Sequence, residues 1–163
     1  MFSARALAMS KYSNVQIIIH WTVVVMIIIQ WSTAGAIPRT HNPLLPPKEW
    51  DLFLHMLHNY CGMAIGALVL VRVALRLRRR TRVNHFSDLP AAIVHWGLYA
   101  SLAAQAATGM IVAYFWAPAA WGRKAFWNVT LVLVGLHVTA AMWHGIRRDG
   151  VVGGMFPVRW INR

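Results

Sequence analysis

Acidic residues are nearly missing from this chain, with four Asp and Glu against sixteen Lys and Arg in 163 residues. Charge of either sign is thin, since only 12% of residues are charged, about half the share usual in a soluble domain. A single cysteine, Cys61, excludes a disulfide framework or a cysteine-based metal site. With so few carboxylates, paired-acid catalysis and carboxylate-rich metal sites have almost no material to draw on. The basic excess does not point to nucleic acid, which requires basic residues spread along a soluble face. Here they fall in short clusters between long apolar segments, which is a membrane pattern.

What is abundant is apolar, at 58% of the chain. A bilayer crossing takes about 20 residues of helix, and four stretches meet that need: residues 15–37, 52–77, 90–116 and 126–146. The third follows "SDLP", where Ser87 or Asp88 suits a cap and Pro90 a first helical turn. The connections, "PRTHNPLLPPKEW", "RLRRRTRVNHF" and "APAAWGRK", are too short for a further domain. The expected fold is therefore all-α: one domain, residues 1–163, forming an integral membrane four-helix bundle in the lipid bilayer.

Lys and Arg set the orientation. Arg5, Lys11, Arg76, Arg78, Arg79, Arg80, Arg82, Arg147, Arg148, Arg159 and Arg163 fall on one side, and Arg39, Lys48, Arg123 and Lys124 on the other. The positive-inside rule puts the first side, with both termini, in the cytoplasm. In a bacterium the location is the inner membrane. Arg5 and Lys11, followed by an apolar run and "STAGA", also match a cleavable leader. Against that, His20, Trp21 and Gln30 make a poor leader core, and cleavage would leave three spans with opposed ends.

Eight histidines and nine tryptophans need separate accounts. Trp21, Trp31, Trp96, Trp116, Trp121 and Trp127 lie near span ends, where an aromatic belt explains them. His20, His58 and His137 lie inside spans, where an ionisable side chain is a functional candidate by default. The plain alternative is a helix–helix hydrogen bond. His20 and His137 both fall ~10–15 Å from the inner surface at 1.5 Å per residue, while His58 sits nearer the outer one. Two imidazoles at one height on different helices suit bis-histidine ligation of a b-type haem. Zinc or a soft metal fits less well, because no thiolate or carboxylate accompanies them. Arg72, fourteen residues after His58 on nearly the same face, is placed either to meet haem propionates or to snorkel to the interface. His144, two turns after His137, either lines a quinone or proton path or is simply interfacial. His95 reads as a structural hydrogen-bond donor, and His41 and His85 as solvated loop residues. Gly62, Gly66, Gly109 and Gly135 allow close packing of helices or of a macrocycle.

Four blocks together resemble the bacterial cytochrome b561 family of four-helix membrane haem proteins. They are "YSNVQIIIHW" (12–21), "HNYCGMAIGALVLVRVALRL" (58–77), "HWGLYASLAAQAATGM" (95–110) and "GLHVTAAMWHGIRRDGV" (135–151). The resemblance implies two haem groups stacked across the membrane, with His20 and His137 binding the inner one and His58 the outer one. The outer haem's second histidine is expected fourteen residues before His137, where this chain has Arg123. One haem b is thus expected, with three outcomes open for the second. It is absent, it takes His41, His55 or Met110 as its ligand, or a partner subunit supplies one.

The implied activity is one-electron transfer with the quinone pool, ubiquinone among the candidates. The family includes a superoxide oxidase and also cytochrome subunits of periplasmic dehydrogenases. The expected function is a membrane b-type cytochrome, either acting on periplasmic superoxide or serving as an electron-relay anchor for a periplasmic redox partner. The outer pair Arg123 and Lys124 suits an anion, and equally suits interface anchoring.

Overall fold

The computed structural model describes residues 13–78, 89–115 and 120–148, with no side-chain detail at 120–122. The described residues are all-helical: α1 (Asn14–Thr33), α2 (Ala36–Thr40), α3 (Glu49–Arg78), α4 (Leu89–Tyr114) and α5 (Ala120–Arg147). The orientation-setting Arg5, Lys11, Arg79, Arg80, Arg82, Arg159 and Arg163 lie outside them, as do His85, Trp116 and the proposed cap Ser87 or Asp88.

Local chemistry accounts for the helix ends. Ser13 opens α1 with a capping box, its hydroxyl accepting from the Gln16 N–H while the Gln16 side chain accepts from the Ser13 N–H. The first span was expected to run to Ile37, but α1 stops at Thr33 and α2 follows after a break. Pro38 has no N–H to give the Ala34 carbonyl, which accepts from Ile37 N–H instead. Just before the break, the hydroxyls of Ser32 and Thr33 donate back to the carbonyls of Ile28 and Ile29, a pattern that bends helices. Glu49 and Asp51 begin α3, where the helix dipole favours acids. Asp51 also binds Arg39, with Nη2 to Oδ1 at 2.8 Å, tying α2 to α3. This is the only ion pair among the described residues.

The last helix also departs from expectation. It starts at Ala120 rather than near residue 126, so Arg123 and Lys124 belong to its first turns and not to a loop. The stretch has no proline to stop a helix once Pro118 is passed.

Three helices are long and apolar enough to cross a membrane: α1, α3 and the Arg123–Arg147 part of α5. α4 has 26 residues, ample in length, and carries no Asp, Glu, Lys or Arg. The helices pack in chain order, α1 on α3, α3 on α4 and α4 on α5. Ile19, Val23, Ile65, Val69, Tyr99 and Leu102 form the buried cluster between α1, α3 and α4. On α1 the inward residues Gln16, Ile19, Val23 and Thr33 alternate at helical spacing with outward Ile18, Val25, Ile28 and Trp31. Large apolar side chains on the outside are what a helix facing lipid presents.

Between α3 and α4 the backbones approach closely at Gly66, where an added Cβ would stand 2.7 Å from the Ala106 Cβ. In a membrane this packing holds helices together, since lipid gives no hydrophobic drive for their association. Replacing Gly66 by Leu should destabilise the fold by about 1–3 kcal/mol through overpacking. Gly145→Ala, where the added Cβ meets nothing within 4 Å, should leave it unchanged. Thermal unfolding in mild detergent, compared between the two variants, checks this.

Candidate functional site

Polar side chains gather at two levels, one near the amino end of α1 (the near end) and one at the opposite, far end. At the near end His20 from α1 and His137 from α5 meet, with ring centroids 6.1 Å apart and planes at 75°. His95 from α4 joins them, its ring 5.1 Å from His137. Its Nδ1–H donates to the Ala91 carbonyl one turn back, which leaves Nε2 with the free lone pair.

Arg72 sits beside this group and is buried. Its Nε–H donates to the Tyr99 hydroxyl at 3.1 Å and its Nη1 to the Gln16 carbonyl at 3.5 Å. Gln16 lies one turn before His20, and Tyr99 one turn after His95. The guanidinium thus spans α3, α4 and α1 at the imidazole level; it points inward and does not snorkel. The next basic residue along, Arg76, lies over the rings of Trp96 and Tyr99 at 5.5 and 5.8 Å, within cation–π range. His144 is half-buried in the last turn of α5, two turns beyond His137.

His58 is buried at the far end, about 20 Å along the helices from the imidazole group. The Thr33 hydroxyl donates to the Ile29 carbonyl at 2.8 Å and so accepts from His58 Nδ1–H at 3.1 Å, leaving Nε2 as the lone-pair nitrogen. The Gln30 side-chain amide donates to the His58 carbonyl. A cavity of about 260 Å³ opens beside His58, bounded also by Arg123, Gln105, Met63 and Met110. His41 and His55 are engaged elsewhere. Their rings stand 5.1 Å apart, and Thr40 Oγ1 lies 2.7 Å from His55 Nδ1.

Among the described residues no group of three or more His, Cys, Asp or Glu is arranged to hold a metal ion. Two imidazoles complete a metal's coordination when a planar macrocycle supplies the other positions. The pairing of His20 with His137 on facing helices fits such a group, with no competing thiolate or carboxylate beside it. At the far end the donor set does not match a second bis-histidine pair, because Arg123 stands across from His58.

Sequence reasoning missed the place of His95 in the near-end group and the part Gln30 and Gln105 play at the far end. The four-residue spacing of His95 and Tyr99 was the available signal, since it puts both on one helical face. For the glutamines the signal was their rarity within apolar spans.

The chain belongs to the prokaryotic cytochrome b561 family, which residues 11–158 match. That makes it a membrane b-type cytochrome. Among known proteins it is similar to the probable superoxide oxidase CybB of Yersinia pestis, 28% identical over 90% of this chain and 96% of that protein. No solved structure matches it.

The Arg72 contacts yield a direct expectation. Tyr99→Phe strips a partner from a buried guanidinium and should cost about 1–3 kcal/mol. Tyr60→Phe, at an exposed position, should cost nothing measurable. Thermal melts of the two purified variants in the same detergent make the comparison.

Proposed function

We propose that the chain is a four-span membrane cytochrome with both termini in the cytoplasm, carrying electrons between a donor on the outer side and the quinone pool. The observation that carries this reading is the meeting of His20 and His137 on facing helices, in a chain of the cytochrome b561 family. These two residues would hold a b-type haem through their imidazole nitrogens, and the group would supply reversible one-electron chemistry when bound. A haem held by two imidazoles would suit one-electron transfer rather than oxygenation.

The protein's own residues set the conditions. Arg72, held by Tyr99 and the Gln16 carbonyl, places a fixed positive charge at the imidazole level, suited to haem propionates and to a reduced, more electron-rich centre. The apolar layer of Ile19, Val23, Ile65, Val69 and Leu102 keeps water from this level. His144, farther along α5, lies on the path for protons at the cytoplasmic surface.

The outer electron donor is superoxide in the primary reading. Its support is the likeness to the probable superoxide oxidase and the cationic pair Arg123 and Lys124 at the outer end, which attracts small anions. Two one-electron arrivals and two protons are needed for each quinone reduced to quinol. A second reading, an electron-relay anchor for a periplasmic dehydrogenase or cytochrome, is favoured by Arg123 standing where the family resemblance expects a histidine.

Haem content by pyridine haemochrome assay is the test of the core proposal. His20→Ala and His137→Ala should each lower it by one haem per chain, with loss of the corresponding Soret absorbance. A wild-type chain without haem, or either variant retaining its full content, would refute the assignment. Superoxide generated in solution should reduce the purified protein, which should be isolated alone from mild detergent. Co-purification with a dehydrogenase, together with no response to superoxide, selects the relay reading instead.

A further inference from the structure

The far-end cavity contains a buried donor that nothing satisfies. Gln105 Nε2 is fully withdrawn from solvent and has no hydrogen-bond partner. Arg123, packed over Gly109, is half-buried and has no acidic partner, since the only ion pair among the described residues is Arg39 with Asp51. Both line the cavity, as does His58, whose Nε2 carries a free lone pair because Nδ1–H is committed to Thr33. Leaving a buried donor without an acceptor is costly, more so in a membrane where water cannot substitute.

The walls narrow the class of ligand. Ile27, Ile65, Leu102 and Met110 present apolar surface, which a small hydrated anion would not need. At about 260 Å³ the space holds one substituted six-membered ring. Apolar walls with a few converging polar groups are the usual form of a small-molecule site. The donors call for oxygen acceptors, and the His58 lone pair for a donor such as a hydroxyl. One ring type supplies both in its two oxidation states.

We infer that this cavity binds a quinone headgroup, with Arg123 and Gln105 donating to its carbonyl oxygens and His58 accepting from the hydroxyl of its quinol form, at the level where a second haem would otherwise lie. The inference rests on the reading of the chain as a quinone-linked cytochrome. Arg123 takes the role of headgroup anchor, and the departure from histidine at that position changes the occupant from a macrocycle to a single ring.

Decylubiquinone is the probe, titrated by equilibrium dialysis against the purified full-length chain in lipid nanodiscs. The wild type should bind one per chain. Arg123→Met and Gln105→Leu, on separate helices, should each weaken binding at least tenfold with haem content unchanged, and Arg123→Lys should recover part of the loss. Irradiation of the wild type with an azidoquinone, which needs no variant, should label peptides containing Met63 or Met110.

Unchanged affinity in both variants, or labelling confined to near-end peptides, overturns the inference. So does a wild-type chain holding two haems of which His58→Ala loses one. Competition by phosphatidylglycerol with no decylubiquinone binding makes the cavity a lipid headgroup site and also overturns it. A haem-free wild type that still binds decylubiquinone through Arg123 sinks the haem assignment alone and leaves this site standing.

Discussion

A buried guanidinium in the hydrocarbon layer must find acceptors on the protein, and Arg72 finds them on two other helices. Its Nε–H reaches the Tyr99 hydroxyl on α4 and its Nη1 the Gln16 carbonyl on α1. That requirement links the heights of α1, α3 and α4, because slipping one helix by a turn, about 5.4 Å, would strand the charge. The same level carries His20, His95 and His137. The imidazoles are thus brought together at a height the arginine has already set, and the capping box at Ser13 fixes where α1 begins beneath them.

The two ends of the molecule satisfy their polar groups differently. At the near end the imidazoles face one another and the cations lie against aromatic rings and a hydroxyl. At the far end His58 is held by Thr33 and Gln30, while the Gln105 amide nitrogen has no partner and shares its cavity with Arg123. Between the ends lies a layer of aliphatic side chains. This polarity separates a site suited to an axially ligated group from one suited to a hydrogen-bonded ligand, on helices shared by both. Close packing at Gly66 keeps α3 and α4 together across that layer, so the two sites sit at a fixed distance.

The helical class was legible because apolar runs of bilayer length have few other uses, and the scarcity of acids and cysteines removed most competing chemistry. The family was legible in short blocks around His20, His58 and His137. Helix ends were less so. A proline five residues past a helix end acts by removing one hydrogen bond, and the hydropathy of residues 15–37 carries no trace of that break. The first turns of α5 were read as a loop because Arg123 and Lys124 are charged, yet a helix tolerates charge wherever a cavity or an interface receives it.

The sequence by itself determined that the chain is built of long apolar helices, how far along its own helix each histidine lies, and that Arg123 occupies a position where a histidine was expected. Depth follows from counting residues at a constant rise, so it needs no partner. Only the tertiary structure decided which residues meet, because rotation and pairing of helices depend on side chains from several segments at once. That is how His95 came to join His137, how Arg72 turned inward instead of snorkelling, and how Gln105 and Arg123 came to share a cavity with His58.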